Sequence, residues 1–90
     1  MNKKVAVIVR DRQDEALRMA IGLTLMDDRI DVFVLDRKLE DSEKNRLNIE
    51  TMEMMDMNAY TNAAENSGMT YQPTAVIAGM LPDYDIVIPY

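Results

Sequence analysis

Lys4-Val5-Ala6-Val7-Ile8-Val9 and Asp31-Val32-Phe33-Val34-Leu35 are the two stretches that decide the fold. Val5 to Val9 is a continuous, mostly β-branched apolar run and Val32 to Leu35 a continuous apolar one, stopped by charge, by Arg10-Asp11-Arg12 in the first case and Asp36-Arg37-Lys38 in the second. Alternation is absent, so neither reads as a strand with one wet face. The pattern is that of strands buried on both sides in a parallel sheet. Parallel neighbours need a crossover, and residues 13–26 supply one. Leu17, Ala20, Ile21 and Thr24 repeat at helical spacing, while Ala16, Met19, Leu23 and Met26 widen the apolar surface beyond a single stripe. Asp11 or Asp14 is the expected cap, because a carboxylate accepts from the free amides of a first turn. Asp27-Asp28 ends the helix, and the βαβ unit is complete by residue 35 with a right-handed crossover expected.

Beyond it, a second helix is predicted over 42–57, capped by Asp41 or Ser42. Leu47 and Met54 fall on one side, Ile49 and Met52 on nearly the opposite one, so its C-terminal half is apolar almost all round. Residues 57–61 form a weak third strand, and 62–68 a polar stretch of turn formers. Pro73 suits the first position of a third helix through Ala75, Val76, Ile77 and Met80, ended by Pro82. The alternative makes 74–78 a strand, since Thr, Val and Ile favour strands. Residues 84–88 read as a last strand. The expectation is one α/β domain over 1–90, a three-layer, flavodoxin-like sandwich of about four mostly parallel strands with helices on both faces.

Composition narrows the chemistry. The 90 residues include no cysteine and no histidine, which removes thiol, persulfide and imidazole chemistry from the chain itself. Sixteen acidic residues against ten basic ones give a net charge of −6, which repels a phosphate backbone. Nucleic acid is therefore not an expected partner. The run from Val5 to Val9 is too short for a membrane span or a signal-peptide core, so neither membrane nor secretion is expected and the cytoplasm is the expected compartment. A domain this small buries only roughly 60–65% of its unfolded surface, which favours association.

Residues Ala16-Leu17-Arg18-Met19-Ala20-Ile21-Gly22-Leu23 followed by Asp31-Val32-Phe33-Val34-Leu35, in the order strand, wide apolar helix, strand, helix, short strand, resemble the DsrE/DsrF-like family of sulfur-relay proteins. The resemblance spans roughly residues 3–64, with the last helix and strand in compatible places. It implies a small flavodoxin-like sheet assembled into oligomers and, in active members, a persulfide carried on a cysteine in a loop beyond a strand. Here residues 62–72 hold no cysteine, and neither does the rest of the chain. Ser67 cannot substitute, because a hydroxyl is not ionised near neutral pH and cannot bear a persulfide. What the resemblance implies is a non-catalytic member, a structural or interaction subunit that partners cysteine-bearing sulfur-transfer proteins.

A second functional class is a binding module. Ligands of open α/β sheets gather at the carboxyl ends of the strands. The residues expected there are Arg10, Asp11, Arg12, Asp36, Arg37, Thr61 and Asn62, and Arg10, Asp11, Arg37, Thr61 and Asn62 form the candidate rim for a small anion or nucleotide-type ligand. The competing reading makes Asp11 a cap and the other charges a solvated, self-paired set. No glycine-rich phosphate loop follows the first strand. Met52, Met54, Met55 and Met57 form the candidate association surface. Thioether ligation of a soft metal such as Cu(I) is the competing use, with no harder ligand in support. Asp27-Asp28, Asp36, Asp83 and Asp85 all sit at expected turns, and none is assigned to acid/base catalysis; a hydrolytic enzyme stands third. No cofactor and no metal is expected.

Overall fold

A computed structural model describes residues 3–25, 29–66 and 68–90. The expected helix end at Met26, the Asp27-Asp28 stop and Ser67 lie outside the described residues. The elements are β1 (Lys4–Val9), α1 (Gln13–Thr24), β2 (Arg29–Val34), α2 (Glu43–Met54), β3 (Asn58–Thr61), β4 (Thr70–Tyr71), α3 (Thr74–Met80), a 3-10 turn (Leu81–Asp83) and β5 (Ile86–Pro89). All strand pairs are parallel, in the order β4-β3-β2-β1-β5.

The two runs that define the fold form adjacent strands, Val5 opposite Ile30 and Val9 opposite Val34. Both are buried on both faces, and alternation divides their side chains between two clusters. Val5, Val7, Val9, Ile30, Val32 and Val34 meet Ala16, Leu17, Ala20 and Met52 from α1 and α2. Ala6, Ile8, Phe33 and Leu35 meet Ile77 of α3 and Tyr84. Residues 74–80 are therefore helix rather than strand. Ile77 is the one buried residue of α3, and covering the second sheet face outweighs the strand preference of its Val and Ile.

The sheet has five strands, against about four expected. The extra strand is β4, two exposed residues at the edge beside β3, paired through Tyr60 with Thr70 and Thr61 with Tyr71. Two residues are too few to show a period in sequence. The caps also differ from expectation. Neither Asp11 nor Asp14 caps α1, whose N-cap residue is Arg12 with no side-chain hydrogen bond. Ser42 rather than Asp41 caps α2, its Oγ accepting from the Asn45 amide at 3.1 Å. That helix stops at Met54, with Met55 and the positive-φ Asp56 (φ 56°) turning the chain into β3. No described helix is long and apolar enough to cross a membrane.

One polar residue lies within the apolar second face. Asp31 is 2% exposed on β2, on the same side as Phe33 and Leu35. A buried carboxylate is costly unless donors meet it. The Tyr84 hydroxyl donates to Oδ2 at 2.5 Å and Asn58 Nδ2 to Oδ1 at 3.2 Å. The Tyr84 ring stands edge-on to Phe33, with centroids 5.6 Å apart, and Lys4 Nζ lies 4.6 Å from its centroid. The pair ties the segment entering β5 to the second strand of the sheet. Burial, with the hydrogen bond and negative charge of Asp31 added, pushes the Tyr84 phenol far above its ordinary value of 10.0.

Two outcomes follow from this contact. Tyr84→Phe strands a buried carboxylate oxygen and is expected to cost about 1–3 kcal/mol in urea denaturation, with the loss largely recovered in the Asp31→Asn background. The folded phenol keeps its proton while the unfolded one ionises near pH 10, so stability is present below about pH 10 and falls as pH rises further. Tyr84→Phe should flatten that alkaline fall; an unchanged slope would contradict the assignment.

Candidate functional site

Parallel strands place the loops after β1, β2 and β3 together at one end of the sheet. The candidate rim is there, in two separate groups. Arg10 Nε pairs with Asp36 Oδ2 at 3.4 Å, and Arg37 Nη2 with Asp11 Oδ1 at 3.0 Å. All four side chains are well exposed, which limits each pair to about 0–1 kcal/mol. Arg12 is exposed as well. Opposite charges thus neutralise one another where an anion was to bind.

The polar members of the rim are spent on neighbouring backbone and side-chain groups. Asn62 Oδ1 accepts from the Asp36 amide at 2.7 Å, while its Nδ2 donates to Asp36 Oδ1 at 3.2 Å and to Thr74 Oγ1 at 3.0 Å. The contact holds Asp36 at φ 70°, a left-handed turn that Asp tolerates better than most residues. Thr61 is fully buried. Its Oγ1 donates to the Val34 carbonyl at 2.8 Å and accepts from the Ala63 amide at 3.0 Å and Asn66 Nδ2 at 2.9 Å. That uses every hydrogen-bonding position of a hydroxyl, leaving none for a ligand.

Buried amide side chains, which sequence reading did not single out, organise this end. Asn66 Oδ1 accepts from the Leu39 amide at 2.6 Å and its Nδ2 donates to the Arg37 carbonyl at 3.2 Å. From α1, Gln13 Nε2 donates to the Lys38 carbonyl at 3.2 Å and Oε1 accepts from the Glu40 amide at 2.9 Å. Asn45 Nδ2 donates to the Glu40 carbonyl at 2.8 Å. Residues 37–40 are thereby pinned from α1, α2 and the loop after β3. The only cue in sequence is an amide at a position that the helical period turns inward, as at Gln13 beside Ala16 and Leu17. A hollow of about 300 Å³ remains beside Asp11, Gln13 and Arg37, at the small end for a ligand site.

The larger hollow lies elsewhere. A groove of about 670 Å³ runs between α2 and the β3–β4 edge. Ile49, Met52, Met57, Ala59 and Met69 line it along with Leu39, and all belong to or pack on the first core cluster. The four candidate methionines have separate fates. Met52 is core, Met57 is half-buried with its sulfur 3.5 Å from Thr24 Oγ1, Met55 is half-buried, and Met54 is 85% exposed. Met52 and Met54 point to opposite sides of α2, so they do not share a metal. Among the described residues no group of three or more His, Cys, Asp or Glu could hold a metal ion.

Comparisons with protein-family models, with curated proteins and with solved structures return no match to this chain. The site is therefore read from its own geometry. Thr61→Val leaves several buried partners unmet and is expected to lower unfolding stability by about 1–3 kcal/mol. Arg10→Ala should stay within about 0.5 kcal/mol. Equal losses in urea titrations of the two variants would contradict a structural role for the buried hydroxyl.

Proposed function

We propose that this protein is a non-catalytic, DsrE-like interaction subunit that assembles with itself and with cysteine-bearing sulfur-transfer proteins in the cytoplasm. The reading rests on the resemblance of residues 3–64 and on the absence of any thiol to carry sulfur. The three-layer description belongs with it, supported by α1 and α2 packing on one set of strand side chains and α3 on the other. The strand order departs from the 2-1-3-4-5 of flavodoxin itself.

The observation that carries association is the outer face of α2. Leu47 and Met54, seven residues and so about two turns apart, are 56% and 85% exposed on the same side of the helix. Thr51 and the exposed Glu50 lie between them, and Thr51 spends its hydroxyl on the Leu47 carbonyl at 2.9 Å. Large apolar side chains repeated along one exposed helix face are better explained by a covering surface than by water. Rim ligation of an anion has no comparable support, because its charges are already paired.

Leu47→Glu combined with Met54→Glu should convert an assembled protein into a monomer without loss of helical signal. Sedimentation velocity at micromolar concentration measures this. A wild-type chain that already sediments as a monomer, and that captures no purified sulfur-transfer protein, would overturn the reading.

A further inference from the structure

We propose that the groove between α2 and β3 is a binding site for small organic cations with an apolar body, of the alkylammonium or arylammonium class. Its volume of about 670 Å³ falls in the range of small-ligand sites. Its floor of Ile49, Met52, Met57, Ala59 and Met69 is apolar, and methionines adapt to irregular apolar shapes. The walls differ in kind from the floor. Glu50 and Glu53 stand one turn apart on α2, Glu65 comes from the loop after β3, and Glu40 from the loop before α2.

Against these carboxylates the groove has two basic groups, Arg46 and Lys38. Arg46 is taken by Asp41 at 3.5 Å. A second, independent feature has the same sign. Asn45 lines the groove, is 3% exposed, and its Oδ1 is buried without a hydrogen-bond partner while Nδ2 is held by Glu40. Buried acceptors of this kind ask for a donor. What the groove leaves unmet is therefore positive charge and N–H donors above an apolar floor. An ammonium group on a hydrocarbon or aromatic body supplies all of these, and a carboxylate ligand of the same length supplies none but the body. Glu50, three residues after Leu47 and four before Met54, borders the proposed association face, while Ile49, Met52 and Glu53 lie away from it.

The test is an amide-resolved NMR titration with octylammonium, octanoate and octanol, each below its aggregation threshold. Octylammonium is expected to shift the amides of Ile49, Glu53, Ala59 and Met69 and to bind roughly five- to tenfold more tightly than octanoate at low salt. Added salt should weaken octylammonium and leave octanol unchanged. Glu50→Gln with Glu53→Gln, both exposed and so compatible with folding, should clearly reduce the preference for octylammonium over octanoate, the remainder coming from Glu40 and Glu65. Because the whole chain is acidic, a cation preference undiminished by this double variant would overturn the site, as would shifts confined to other surfaces or equal wild-type binding of octylammonium and octanoate.

Discussion

Two-sided burial of β1 and β2 is the constraint from which the rest of the architecture follows. A strand apolar on both faces leaves no side for water, so each face must be covered. Helices α1 and α2 cover one, and α3 with Tyr84 covers the other. Parallel pairing in turn requires crossovers, which bring the connecting loops to common ends of the sheet. The wide apolar surface of α1 has the same origin, since it packs on the sheet with Ala16, Leu17 and Ala20 and touches α2 along its flank.

That coverage has a polar cost, met in two places. At the end where β2 begins, Asp31 is buried on the second sheet face and is satisfied by Tyr84 and Asn58. At the other end, the loop leaving β2 is pinned by Gln13, Asn45, Asn62 and Asn66. These amides can donate and accept at once, which suits backbone groups of both kinds. The charged residues around them remain in water and pair with one another. A strand-end rim that looks receptive in sequence is thus a closed structural network, and the open groove lies one strand further out, where α2 leaves β3 partly uncovered.

Helix α2 serves three surfaces at once. Met52 enters the core, Ile49 faces the groove with Glu53 on its wall, and Leu47 with Met54 faces outward. This explains why its apolar residues nearly encircle it and why its methionines do not act as a unit. Their separation follows from the helical angle between successive residues, 100° each, which sends neighbours in sequence to different environments.

The sequence by itself determined the α/β class, the two central strands, the first two helices to within a few residues at their C-terminal ends, and the exclusion of thiol and imidazole chemistry, because long apolar runs, helical periods and missing residue types are local properties; for 74–80 it left helix and strand open, and the need to cover the second sheet face decided for helix. The candidate rim residues lie at and just after the ends of β1, β2 and β3. Tertiary structure alone decided the rest. It showed that Thr61 and Asn62 are consumed by backbone and side-chain partners within the fold, that Asp31 is buried against a tyrosine far along the chain, and that a two-residue edge strand completes the sheet. It also put the groove between α2 and β3. Each of these depends on which groups meet across the fold, and hydrogen-bond satisfaction and concavity are properties of that meeting rather than of any one stretch of chain.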